Sequence, residues 1–129
     1  MMARALPLRA LKGGLLTALS ACAATPAARV YHAADPVGIG GDLVGFLVTV
    51  EGARTGAEAE DYATCVAAAY ALEKQAGFAR KVRVYVKEEG GVWSADAVYS
   101  VSPALPKGMR TIDAEVTVAD CAERGIPTV

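Results

Sequence analysis

The chain is poor in the residues that build metal and nucleophile sites. It holds one histidine and three cysteines among 129 residues, at scattered positions. No His/Cys spacing of a zinc site exists in it, and no metal or cofactor is implied. His32 stands beside Tyr31 in an Ala-, Pro- and Gly-rich stretch, without the orienting partner and formed pocket that a general base needs. None of Ser94, Ser100 and Ser102 lies in the Gly-x-Ser-x-Gly setting of a hydrolase nucleophile. Gly38-Ile39-Gly40-Gly41 precedes an apolar run, whereas a phosphate loop leaves a strand and opens a helix; these glycines read as a flexible approach to a strand. There are no repeats and no low-complexity blocks beyond an enrichment in alanine. The early apolar run, residues 13–21, is well short of the roughly 20 residues that span a bilayer.

Acidic residues are also absent before Asp35, while Arg4, Arg9 and Lys12 precede that apolar run. A basic segment followed by a short apolar one is the layout of a secretory signal. It ends in Leu19-Ser20-Ala21-Cys22, a branched apolar residue, two small residues and a cysteine, which resembles the lipobox of bacterial lipoproteins. The resemblance implies cleavage between Ala21 and Cys22, a diacylglyceryl group on the Cys22 thiol and acylation of the new amino terminus. Two acyl signals suffice for stable anchoring, at about 0.8 kcal/mol per buried methylene. Ala23 and Ala24 stand where some bacteria place an aspartate to retain lipoproteins in the inner membrane, so the resemblance favours the outer membrane. The alternative is an ordinary secretory signal cut after Ala24 or Ala28.

The expected organisation is therefore a lipoprotein signal at 1–21, the lipidated cysteine and a flexible tether at 22–42, and a small domain at 43–129 facing the periplasm. Thirteen basic residues stand against fourteen acidic ones in the whole chain; losing Arg4, Arg9 and Lys12 leaves ten against fourteen. That balance argues against nucleic acid as a partner. With Cys22 lipidated, Cys65 and Cys121 remain as an even pair. In an oxidising periplasm they form either a disulfide or two separate buried thiols.

Within the domain, residues 43–50 are continuously apolar and rich in β-branched side chains, which predicts a buried strand. Thr55 and Glu58 have the spacing of a capping box. A helix is expected from there to Ala76, with Gly77 as its left-handed cap and Tyr62, Cys65, Val66, Ala69, Leu72 and Ala76 as its buried face. Val82, Val84 and Val86 alternate with Lys81, Arg83, Tyr85 and Lys87, which predicts a strand with one apolar and one cationic face. Glu88-Glu89-Gly90-Gly91 reads as a hairpin turn into a strand over 92–101. Ile112, Ala114, Val116 and Val118 alternate with Thr111, Asp113, Glu115 and Thr117, the pattern of a fourth strand with an acidic face. The fold class that follows is α+β, with one main helix on a small, largely antiparallel four-stranded sheet.

The cationic face of Lys81, Arg83, Tyr85 and Lys87 is the leading candidate site, able to meet lipid phosphates, an anionic envelope polymer or an acidic protein surface. An ordinary solvated sheet face, or one neutralised by Asp113 and Glu115 on a neighbouring strand, is the plainer alternative. Trp93 and Tyr99 serve either as an aromatic platform or as core. Tyr62, Ala68, Ala69, Leu72, Gly77 and Phe78 are similar to a strand and helix pattern of small envelope lipoproteins of unknown function, a resemblance that implies no activity. The reading as a whole is a non-enzymatic, membrane-anchored structural or interaction module. The alternatives are a periplasmic enzyme using carboxylates such as Asp96, Asp113 or Glu115 in a groove, and a strand-adding subunit of a larger envelope complex.

Overall fold

Gly90 and Gly91 both have positive φ, 58° and 81°, the backbone that a tight two-residue hairpin turn requires and that glycine adopts without strain. They join β4 (Phe78–Glu89) to β5 (Val92–Ser102), paired antiparallel from Glu89 opposite Val92 to Phe78 opposite Ser102. The computed structural model in which this hairpin lies describes residues 13–14, 28–105, 107–108 and 110–128. The lipobox with Cys22, and all of the signal-like segment except Gly13 and Gly14, lie outside the described residues.

On the other side of β5 runs β3 (Leu43–Glu51), antiparallel with Leu43 opposite Ser100 and Glu51 opposite Val92. The outer edge of β3 carries two short strands, β1 (Val30–Ala33) and β2 (Val37–Gly40). At the far edge, β6 (Thr111–Asp113) pairs with the first residues of β4. Among the described residues the sheet thus has six strands, in the order β1-β3-β5-β4-β6 with β2 beside β1 on β3. The α+β class with a helix on an antiparallel sheet holds; the four strands and single main helix expected from sequence become, among the described residues, six strands and two helices.

Two corrections account for the difference. The stretch read as tether, 22–42, contains β1 and β2. Tyr31 of β1 packs edge-on against Tyr62 at 4.9 Å between ring centroids, an anchor that no short-range periodicity announces. The predicted fourth strand breaks after Asp113. The Asp113 carboxylate accepts the Val116 N–H at 3.1 Å and caps α2 (Ala114–Glu123), a helix start that competes with the alternating pattern. Ala114 and Cys121 are its buried positions, while Val116 is exposed.

The main helix, α1 (Gly56–Glu73), begins after Thr55 as expected, but the Thr55 hydroxyl makes no capping bond. Glu58 instead reaches back to the Arg54 N–H at 2.6 Å and receives Arg29 Nε at 2.6 Å, which holds its carboxyl below the ordinary value of 4.5. The helix ends at Glu73, short of Ala76. Gln75, with φ 59°, takes the left-handed position foreseen for Gly77, and the N–H groups of Gln75 and Ala76 donate to Leu72 O and Ala71 O.

α1 lies across one face of the sheet. Ala59, Tyr62, Ala63, Val66 and Ala67 meet Val44, Phe46, Val48 and Val50 of β3 and Ala95, Ala97 and Tyr99 of β5. Alanine on both layers lets helix and sheet approach closely, and Phe46 fills the remaining space, edge-on to Tyr70 and Tyr99. A second side of α1, with Ala68 and Ala71, packs on Ala76 and Ala114 near α2. Burial on two sides explains why Ala59, Ala63, Ala67, Ala68 and Ala71 are all inaccessible, whereas Ala69 and Leu72, expected in the core, are only half-buried. Cys65 of α1 and Cys121 of α2 form a disulfide.

Candidate functional site

With α1 on one face of the sheet, the opposite face is the one that no described helix covers. Register decides which residues reach it. Along β3 the even-numbered residues turn toward α1, so Leu43, Gly45, Leu47 and Thr49 line the uncovered side. The apolar run of 43–50 predicts a buried strand; the alternating burial of β3 shows that only one of its faces is core and that Leu47 lies on the other.

On β4 the simple alternation fails at a bulge. Lys81 is opposite Tyr99, but the next paired residue is Arg83, opposite Val98. The extra residue, Val82, is exposed instead of entering the core, and the strand changes face across it. Lys81 consequently points to the helix side. Its Nζ donates to Glu60 Oε1 at 2.6 Å in a half-buried pair. Arg83, Tyr85 and Lys87 point to the uncovered side, while Val84 and Val86 pack on the core beneath α1. The cationic face read from sequence is thus divided: three of its members share a face and Lys81 belongs to the other. The acidic partners foreseen for it are elsewhere, Asp113 opposite Phe78 at the start of α2 and Glu115 on that helix.

The uncovered face combines apolar and charged groups. Val37 and Ile39 of β2, Leu47 of β3 and Tyr85 of β4 are 62%, 55%, 51% and 65% exposed. Ile39 leans over Gly45, close enough that a Cβ there would meet its Cδ1 at 3.3 Å. Tyr85 and Leu47 are both opposite Asp96, and Lys87 and Thr49 are both opposite Ser94. A shallow depression of about 370 Å³ is lined by Leu47, Thr49, Lys87, Glu89, Val92 and Ser94. Sequence reading missed Val37, Ile39 and Leu47. Their only signal was an apolar side chain at a position whose orientation depends on strand pairing.

The remaining candidates take structural places. Trp93 lies on the helix side, where its ring would sit 3.2 Å from a Cβ on Gly56. Tyr99 is inaccessible, and its hydroxyl bonds Thr64 Oγ1 at 2.8 Å. Burial pushes the Tyr99 phenol above its ordinary value of 10. His32 is exposed on β1, opposite Thr49. Asp96 is exposed on the uncovered face, opposite Leu47 and Tyr85, and does not line the depression that holds Asp113 and Glu115. Those two carboxylates line one open depression of about 390 Å³ with Leu72, Gln75, Gly77 and Phe78, where Asp113 is engaged as a helix cap. Among the described residues, no helix is long and apolar enough to cross a membrane.

Residues 31–125 match the family described as the YNQ4 C-terminal domain, a span that begins within β1 and ends just after α2. The chain is 33% identical over 66 residues to the uncharacterized 26.9 kDa protein in the nqo8 5' region of Paracoccus denitrificans. That alignment covers 51% of this chain and 26% of the relative, so the similarity spans about a quarter of the relative's length. No solved structure matches.

Proposed function

The chain belongs to the YNQ4 C-terminal domain family, and from that premise we propose that it is an envelope lipoprotein, anchored through Cys22, whose domain is a non-enzymatic interaction module facing the periplasm. The observation that carries the interaction reading is the uncovered sheet face, where exposed Val37, Ile39, Leu47 and Tyr85 stand among Arg83, Lys87 and Asp96. Apolar side chains rimmed by charge are the composition of a binding surface. Its cationic rim, Arg83 and Lys87 beside Tyr85, suits an acidic envelope protein or an anionic polymer.

The anchor rests on the lipobox-like Leu19-Ser20-Ala21-Cys22. The disulfide between Cys65 and Cys121 supports export, since such bonds persist in oxidising compartments. Ala23 and Ala24 favour the outer membrane as the destination.

Mass spectrometry of the mature amino terminus tests the anchor. It should show an acylated Cys22, and Cys22→Ser should release the domain from the membrane fraction. An unmodified terminus at another residue would remove the anchor from the reading. For the face, Arg83→Glu with Lys87→Glu should deplete partners recovered by crosslinking in the intact envelope, and an unchanged set of crosslinks would count against this surface.

A further inference from the structure

β4 is an edge strand for most of its length. β6 covers it only at Phe78, Ala79 and Arg80, and the Lys81 N–H still finds Arg110 O at 3.2 Å. Beyond that point no described strand pairs with its outer side, so the backbone from Arg83 to Glu89 presents an unpaired row of donors and acceptors. Over the same seven residues β4 pairs with β5 without a register shift, from Arg83 opposite Val98 to Glu89 opposite Val92. The available edge is therefore regular.

Natural edges are commonly protected by charges that repel another strand. Here the charges are arranged unevenly along the strand: Arg83 lies toward one end, and Glu88 and Glu89 lie at the other, with Lys87 just before them. In an antiparallel encounter with an identical edge, such a strand meets its own opposite. We infer that β4 pairs with β4 of a second copy of this chain about a two-fold axis at Val86, joining the two sheets into one. In that register Arg83 faces Glu89 of the second copy, Tyr85 faces its Lys87 and Val86 faces its Val86. The first two pairs lie on the uncovered face, where opposite charges and a cation beside an aromatic ring both attract.

The neighbouring registers are poorer. Centring the axis on Tyr85 sets Arg83 against Lys87 twice, and centring it on Lys87 sets that lysine against itself, like-charge contacts that destabilise strand pairs. The helix side of the edge agrees with the Val86 register. A groove of about 440 Å³ there is lined by Glu60, Lys81, Val84, Val86 and Arg110, and the second copy's Glu88, opposite Val84, enters beside Arg110. The existing contact between Lys87 and Glu89 is 3.8 Å long with both side chains exposed, so little is lost when each turns to the second copy.

The full chain, purified in detergent, should show a concentration-dependent monomer–dimer equilibrium by sedimentation equilibrium, and Cys22→Ser should leave that equilibrium intact. Arg83→Glu and Glu89→Arg should each raise the dissociation constant by on the order of tenfold or more, because two-fold symmetry places every like-charge contact in the dimer twice. The combined Arg83→Glu/Glu89→Arg chain should recover the original constant to within about threefold, since both pairs are restored in reverse. Arg83 and Glu89 are exposed, and circular dichroism should show unchanged folding. A chain that is monomeric at every concentration would overturn the inference. So would a dimer indifferent to the single reversals, or a combined variant that fails to recover.

Discussion

Removing the bond between Cys65 and Cys121 should cost the domain a large share of its stability and should loosen α2 first. The two cysteines are 56 residues apart in sequence. Closing a loop of that length withdraws roughly 14 cal/mol/K from the unfolded chain, about 4 kcal/mol at 25 °C in the chain-entropy account. Single domains are stable by about 5–15 kcal/mol in total, so the bond accounts for between roughly a quarter and four-fifths of such a total. The local effect follows from what else holds α2. The buried cluster beside it is made of Ala68, Ala71, Ala76 and Ala114, side chains that bury little apolar surface each, at about 25 cal/mol per Å². The main core, with Phe46, Tyr62, Tyr99 and four valines of β3 and α1, has far more to retain it. Urea unfolding of the oxidised chain should therefore show a midpoint well above that of the reduced chain and of the Cys65→Ala/Cys121→Ala variant. The slope should be steeper in both uncrosslinked forms, whose unfolded states expose more surface. Amide exchange on reduction should accelerate across 114–123 before it does so in β3 and β5. A stability difference below about 1 kcal/mol would refute the loop-closure reasoning, and equal acceleration in α2 and β5 would refute the local part.

Three further outcomes follow from particular contacts. Gly56→Ala would place a Cβ 2.6 Å from Val86 Cγ1 and against the Trp93 ring; an overpacking cost of about 1–3 kcal/mol is expected, and Val86→Ala in the same chain should return part of it, as read by thermal unfolding. Glu58 is held charged chiefly by the Arg29 hydrogen bond. Because its folded-state value lies below 4.5, its contribution to stability is present above that pH and lost as pH falls through the folded value. The advantage of the natural chain over Glu58→Gln should accordingly shrink in denaturation series carried below pH 4.5. Tyr62 and Tyr99 are both raised above 10 by burial, so the folded state favours the neutral phenols, and stability should fall as pH rises past 10. Ultraviolet titration should find these two phenols ionising late, together with alkaline unfolding, and early ionisation of all tyrosines would contradict their burial.

Much of the fold was legible because much of it is local. The Gly90-Gly91 turn, the valine alternation of β4 and the alanine-rich helix after Thr55 each carry their signal within a few residues. What was not legible depended on contacts between distant segments. Val30–Ala33 and Val37–Gly40 are too short to show a period and become strands by pairing with β3. The stretch from Ala114 onward alternates as well as any strand, yet capping by Asp113 and the bond from Cys121 to α1 hold it as a helix.

The candidate surface divides in the same way. Sequence by itself determined that Arg83, Tyr85 and Lys87 share a face, because they are two residues apart on an extended chain. Tertiary structure alone decided that Lys81 leaves them, since the bulge at Val82 arises from the pairing of β4 with β5. It also decided that Val37, Ile39 and Leu47 lie on the same uncovered side. Alternation encodes which residues travel together; the side they reach is settled by the neighbouring strand and by the helix that covers one face and leaves the other open.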